Sequence, residues 1–269
     1  MKTSTATSKI VFFDLDGTLL TSNLEVQASS IQAIAHLREA GGIPVIATGR
    51  SICEIDYVFQ ATGIHTCVAM NGQYVMYEGN TIFENPIDVN EVLALHQFAE
   101  TKGHSLSFYN TERVTVNKAN DSLVEKNCVR IGAPYPEVAD RPFLNEPTHL
   151  MVLFCKEGEE AEYQNKFPTF QFVRHSPYNC DVFPAHISKA TGIKELLNYT
   201  NFDLNNTYAF GDGLNDLEMF SLVKHPIAMG NSLEIVKQHA EYITQSNNED
   251  GIATGIQYIL GKGDKFLDI

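Results

Sequence analysis

The sequence predicts an α/β protein, a Rossmann-like three-layer core around a parallel sheet, interrupted by an inserted mixed α/β domain. Two observations carry that prediction. Short, fully apolar runs that end in polar loops alternate with helically spaced segments at both ends of the 269-residue chain, the rhythm of strand, crossover helix and parallel strand. Between them, residues 83–185 change texture to strands and helices mixed without that rhythm.

Ile10-Val11-Phe12-Phe13 is a continuous apolar run that meets Asp14, Asp16 and Gly17, as a buried strand does where it opens into a loop. Val26, Ile31, Ile34 and Leu37 follow near helical spacing over residues 26–40, and Gly41-Gly42 stops them. Pro44-Val45-Ile46-Ala47 predicts a second strand with the loop Thr48-Gly49-Arg50, and Ser51 with Glu54 has capping-box spacing for the next helix. Cys67-Val68-Ala69-Met70 gives a third strand. Asn71-Gly72 is a turn dipeptide before Gln73–Tyr77, so a hairpin is expected to end the parallel pairing there, with reach to phosphate or a mobile joint as the alternative role.

Within the insertion the pattern predicts helices near 89–101, 121–128 and 157–166, and strands near 105–109, 112–116, 149–155, 169–175 and 179–183. The first rhythm then returns. A helix is predicted near 189–199, a strand at Thr207–Phe210, a loop from Gly211 through Asp216, a strand at Pro226–Met229 ending in Gly230-Asn231-Ser232, and a last helix over 251–260. The expected domains are a first core part, 1–82, the insertion, 83–185, and a second core part, 186–269. Pro, Gly or Asn mark both joints, near 80–86 and 184–188. The first eight residues are expected to be a polar lead-in.

Asp and Glu number 33 against 19 Lys and Arg, a formal net charge of −14, which repels nucleic acid and anionic membranes at long range. Neither is an expected partner. A phosphorylated small molecule would meet the same field and needs a local positive centre, such as a metal ion or a placed lysine. The five cysteines form no CxxC pair, and the opening MKTSTATSKI lacks the apolar region of a signal peptide. A reduced, cytoplasmic chain is the expectation, and the sequence leaves monomer or homodimer open.

Three predicted strand ends deliver polar side chains: Asp14 and Asp16, then Thr48, then Asp212 with Asn215 and Asp216. In an open α/β sheet such ends converge where the strand order reverses. Four carboxylates there repel one another, and a bound Mg²⁺, which takes hard oxygen ligands and bridges carboxylates to phosphate, resolves that repulsion. In this reading Asp14 attacks phosphorus and forms an aspartyl-phosphate. Asp16, kept partly protonated by acidic neighbours, protonates the leaving oxygen and later activates water. Gly17 permits a tight turn, Thr18 and Thr48 offer hydroxyls to the phosphoryl oxygens, and Lys189 supplies compensating charge. Asp212 fits a direct metal ligand, with Asn215 and Asp216 orienting substrate, metal waters or Lys189.

The stretches FFDLDGTLL (12–20), ATGR (47–50), the lysine of HISKATGI (186–193) and GDGLNDLEMF (211–220) resemble the four motifs of haloacid dehalogenase-superfamily phosphatases. AMNGQYV (69–75) and the position of the insertion look like the Cof-type subfamily, subfamily IIB, with a large α/β cap. The resemblance spans the chain from about residue 9 onward. It implies Asp14 as nucleophile, Asp16 as acid/base and backbone-carbonyl metal ligand, Thr48 with Gly49 as phosphate-binding loop, and Lys189 as motif lysine. It implies also Asp212 as metal ligand, Asp216 as its support and Asn215 at the phosphate or metal shell. Ala190 departs from the glycine that often follows the motif lysine.

The implied activity is Mg²⁺-dependent hydrolysis of phosphate monoesters of sugar, nucleotide, flavin mononucleotide or pyridoxal type. A phosphosugar mutase and a non-catalytic binding or regulatory protein are the alternatives. His149 and His175 are expected at core edges, and His186 near the second joint. Arg113, Arg130, Arg141 and Arg174 are expected as surface charges, any one of which could recognise a second anionic group.

Overall fold

A computed structural model describes residues 8–261, so residues 1–7 of the expected lead-in lie outside the described residues. The chain divides into two compact units, one of residues 1–50, 54–84 and 188–269, the other of residues 51–53 and 85–187. Each is described by itself.

The first unit opens with β1 (Ile10–Phe13), α1 (Ala28–Glu39), β2 (Ile43–Ala47), α2 (Ile52–Thr62, from Glu54 onward), β3 (Cys67–Ala69), β4 (Tyr74–Tyr77) and β5 (Asn80–Glu84). All four residues of β1 are buried, because helices cover both faces of a parallel sheet and leave no polar side for alternation. The inserted unit runs α3 (Val89–Lys102), β6 (Ser105–Tyr109), β7 (Val114–Val116), α4 (Ser122–Ile131), β8 (Glu137–Val138), β9 (Leu150–Phe154), α5 (Glu160–Lys166), β10 (Phe170–Ser176) and β11 (Asn179–Pro184). The first unit resumes with α6 (Lys189–Thr200), β12 (Thr207–Gly211), α7 (Leu217–Leu222), β13 (His225–Ala228), α8 (Glu234–Lys237), β14 (Tyr242–Ile243) and α9 (Gly251–Gly261).

Among the described residues the first unit holds an eight-stranded sheet in the order β14-β13-β12-β1-β2-β3-β4-β5. Pairing is parallel from β14 to β3 and antiparallel from β3 to β5, so the expected hairpin does close the parallel run. Its core gathers Ile10, Phe12, Val45, Val68, Ile193 and Ala209, and Phe13 stacks on Phe210 across the β1–β12 pair at 5.1 Å. The second unit holds a six-stranded sheet, β10-β11-β9-β6-β7-β8, antiparallel except for β7–β8. Leu95, Leu106, Met151, Tyr163 and Val182 pack one core of that unit.

Three element starts differ from expectation for local reasons. β7 begins at Val114 rather than 112 because the Asn110 side-chain oxygen accepts from the N–H groups of Glu112 and Arg113 and holds a turn. α4 begins after Asp121, whose carboxylate accepts from Leu123 and Val124 N–H. α5 begins at Glu160 rather than 157 because Gly158 is left-handed, with φ of 90°. No helix among the described residues is long and apolar enough to cross a membrane.

Candidate active site

β1 is flanked by β2 on one side, reached through α1, and by β12 on the other, which arrives after the insertion. The strand order reverses between β1 and β12, so the loops that follow them open side by side at the carboxyl edge. The Asp14 N–H donates to the Phe210 carbonyl at 3.1 Å, which extends the β1–β12 pairing into the loop and fixes where the Asp14 side chain leaves the sheet.

The loop after β1 lies against the loop after β12. Gly17 has φ of 78°, and a Cβ there would stand 2.4 Å from Oδ2 of Asp212, so both conformation and space require glycine. The buried Thr18 hydroxyl donates to Asp212 Oδ1 at 2.9 Å. Asn231, just past β13, donates its amide to the Gly17 carbonyl at 2.8 Å. Asn247 in turn donates to the Leu20 carbonyl at 2.8 Å, and its N–H donates to Asn231 Oδ1 at 2.9 Å. Sequence reasoning missed this support; the Gly230-Asn231-Ser232 turn was its only signal.

Lys189, the first residue of α6, is 1% exposed. Its Nζ donates to Asp14 Oδ1 at 2.5 Å and to Asp216 Oδ1 at 2.7 Å. The other oxygen of Asp216 accepts from the N–H groups of Asp212 and Gly213, each at 3.0 Å. Asp216 therefore ties the lysine to the loop that presents Asp212. Carboxylate oxygens of Asp14, Asp212 and Asp216 all lie within 4.8 Å of one another.

Burial pushes the Asp14 carboxyl well above its ordinary range; Lys189 pulls against that, while Asp216 and Asp212 add to it. Burial also pushes Asp212 up, to about 6, against the Thr18 hydrogen bond. For Lys189, burial opposes the charged form, yet the two carboxylates outweigh it and hold the amine up as an ammonium. Ionising all three acids around one ammonium would put two surplus negative charges in a place largely shielded from water, and the raised Asp14 and Asp212 reflect that cost. That donor set, hard oxygens with unbalanced charge, fits a divalent cation such as Mg²⁺.

Asp16 departs from expectation. The structure brings together three of the four acids, and Asp16 turns its carboxylate to Arg50, which donates from Nε at 2.9 Å and from Nη2 at 2.5 Å. Its expected acidic surroundings are replaced by a bidentate guanidinium, a planar fork that matches a carboxylate better than repelling acids do. Arg50 stands in the Thr48-Gly49-Arg50 loop, and nothing in its local sequence marks it as the partner of Asp16. Thr48 is buried, its hydroxyl oxygen accepts the Arg50 N–H at 3.1 Å, and Gly49 beside it is half-buried. Asn215 stands exposed on the loop after β12.

Two insertion arginines are committed within their own unit: Arg113 pairs with Glu137 and Glu146, and Arg174 with Glu160. His149 is buried and His186 exposed.

An aspartate-bearing loop at the sheet's reversal point, a lysine bridging two acids and a metal-competent acid cluster fit a phosphoryl-transfer centre. The chain belongs to the haloacid dehalogenase-like hydrolase family, whose sequence profile matches residues 11–256, and it is a phosphoric monoester hydrolase of that family. It is 34% identical to YkrA of Bacillus subtilis (strain 168) over 93% of this chain and 97% of that protein. A solved structure of a protein from Geobacillus kaustophilus HTA426 superposes with a TM-score of 0.90 at 36% identity, covering 94% of this chain and 99% of the other. The subclass IIB sugar phosphatase BT4131 superposes at 0.82 with 29% identity, covering 93% and 98%.

Proposed function

We propose that this chain hydrolyses the phosphate monoesters of small metabolites, phosphorylated sugars first among them, through an aspartyl-phosphate on Asp14. The observation that carries the reading is Lys189 held 2.5 Å from Asp14 and 2.7 Å from Asp216 inside the acid cluster. Sugar phosphates take first place because BT4131, similar over nearly the whole chain, is described as a sugar phosphatase.

Asp14 uses a carboxylate oxygen to attack phosphorus; the bond from phosphorus to the ester oxygen breaks, and that oxygen takes a proton from Asp16. Water then attacks the phosphorus of the aspartyl-phosphate, giving its proton to Asp16, and the bond to Asp14 breaks to release inorganic phosphate. Lys189 stays charged throughout and steadies the nucleophile and the phosphoryl oxygens as negative charge gathers there. Thr48, with Gly49, lines the phosphoryl position; Thr18, expected there too, instead gives its hydroxyl to Asp212 and its N–H to the Leu15 carbonyl and braces the loop. Asp16 enters this sequence only when Arg50 releases at least one of its two hydrogen bonds.

Asp14, Asp212 and the Asp16 main-chain carbonyl would hold Mg²⁺, with Asp216 and Asn215 in support, and the ion when bound would neutralise the phosphoryl oxygens and the surplus acid charge.

The test compares wild type with Asp14→Asn on p-nitrophenyl phosphate and on a panel of phosphorylated sugars, nucleotides and cofactors, with Mg²⁺ or with EDTA. Expected are a loss on the order of 10⁴-fold in kcat for the variant, no turnover in EDTA, and the highest kcat/KM on a sugar phosphate. Equal turnover by the variant would sink the nucleophile assignment. Retained turnover in EDTA would sink the metal assignment.

A further inference from the structure

The link between β3 and β4 does not take the ordinary two-residue hairpin form. Met70, Asn71 and Gly72 have φ of 49°, 55° and 97° in succession, so three consecutive residues are left-handed and two of them carry side chains. Such residues occur singly as a rule, and runs of them persist where the surroundings impose them, often at functional sites. Here the Met70 N–H donates to the Arg50 carbonyl at 3.0 Å and the Asn71 N–H to the Thr48 carbonyl at 3.1 Å. A Cβ on Gly72 would stand 2.2 Å from the Ser188 carbonyl oxygen. The turn is thus wedged between the Thr48–Arg50 loop and the residue that precedes Lys189.

The side chain this turn presents is a second, independent observation. Asn71 is 5% exposed, yet its amide has no hydrogen-bond partner among the described residues. It lies along the backbone of Gly49: a Cβ there would be 3.2 Å from Asn71 Oδ1 and 3.3 Å from Nδ2. β1, β2 and β3 are consecutive neighbours in parallel register, so Asp14, Thr48 and Asn71 all stand just past the carboxyl ends of adjacent strands. The Asn71 amide is not among the sealed, unpartnered polar atoms of the described residues, so water reaches it in the free protein, and a phosphoryl oxygen would take that water's place. The group expected at Thr48 and Gly49 offers only acceptor oxygens.

We propose that Asn71 is a phosphoryl-contacting residue: its Nδ2 donates to a non-bridging oxygen of the phosphate held at Thr48 and Gly49, and the left-handed turn keeps it aimed there. This rests on the reading of Asp14 as the group that receives the phosphoryl. A neutral donor fixed in place before substrate arrives adds hydrogen bonding without reorganisation, beside the full charge that Lys189 supplies.

The experiment uses the full chain with Mg²⁺ as wild type, Asn71→Gly, Asn71→Asp and Asp14→Asn. Glycine accepts the same φ and removes the whole side chain; aspartate keeps the shape and replaces the donor with an acceptor. Melting temperature, kcat and KM for p-nitrophenyl phosphate, and calorimetric Kd for inorganic phosphate are measured. Asn71→Gly is expected to melt within about 3 °C of wild type, to lose about 100-fold in kcat/KM and to bind phosphate about tenfold more weakly, with Asn71→Asp lower on both counts. Wild-type kcat/KM and phosphate affinity in Asn71→Gly would reduce Asn71 to a turn residue. If the glycine variant does not fold, the same retention in Asn71→Asp overturns the proposal. Should Asp14→Asn turn over as fast as wild type, the underlying reading fails, whatever position 71 does.

Discussion

Lys189 in the first unit faces two carboxylates, Asp14 and Asp216, with Asp212 in the same cluster. Arg174 in the second unit faces one, Glu160, through bonds of 2.8 and 2.6 Å. Its remaining donors go to the carbonyls of Cys155, Lys156, Ser176 and Asn179 and to the Cys155 sulfur at 3.3 Å. Cys155, Glu160 and Cys180 also bring ligand atoms within 4.8 Å of one another, so by spacing alone both clusters could hold an ion. Charge separates them. The acids around Lys189 keep a surplus that asks for a cation, whereas Glu160 is already neutralised, and a metal at Cys155 would meet a guanidinium at hydrogen-bonding distance from the sulfur. The first cluster is open to chemistry, and the second is a fastening between β9, α5, β10 and β11.

The contrast is tested most severely at Lys189. Lys189→Met is expected to lower kcat by 10²–10³-fold, an effect on the order of that for removing one preorganised charge. In EDTA it should also lower stability by roughly 3–5 kcal/mol, because two buried carboxylates lose their counter-ion. Steady-state kinetics and urea melts check both; an unchanged kcat would make Lys189 a structural cation like Arg174.

A smaller effect follows from pH. Asp212 sits at about 6 against an ordinary 3.8, and Asp14 is raised as well. Between those two values the folded, ion-free chain holds protons that the unfolded chain has released, so its stability falls as pH rises through that window. Mg²⁺ must displace the same protons, and its affinity should weaken about tenfold from pH 7 to pH 5. Melting in EDTA across this range, with Mg²⁺ calorimetry at both ends, reads the effect. A melting temperature that climbs through the window, or an affinity indifferent to pH, contradicts it.

Arg174→Met should change kcat least. Activity per folded molecule is expected to stay at the wild-type value while stability drops by about 2 kcal/mol, less than for a fully buried pair because both side chains keep some solvent contact. A large fall in kcat with normal stability would move Arg174 into the reaction and erase the distinction.

What the sequence made legible follows its strongest periodicities. Ile10–Phe13 and Thr207–Phe210 could be read as buried strands because uninterrupted apolar runs between polar loops have few other uses, and their loops carried the acids of the cluster. β8 and β14, two residues each, have no period to detect. The partner of Asp16 was hidden for a different reason: Arg50 is 34 positions away, and only the pairing of β1 with β2 brings it near. At Met70–Gly72 the sequence shows a turn, with reach to phosphate or a mobile joint as the other reading, but not its left-handed run, since Asn-Gly favours positive φ and says nothing of the methionine before it.

The β1–β12 pair has a consequence for how the molecule is made. Ile10 finds its register partner at Thr207, whereas residues 85–187 form one uninterrupted stretch of the second unit. On the ribosome that stretch is complete before β12 has been synthesised, so the segment inserted into the host can close its own sheet first. The apolar strand Ile10–Phe13 must wait for one of its two neighbours through most of translation, which makes it the part of the nascent chain with most to gain from a chaperone.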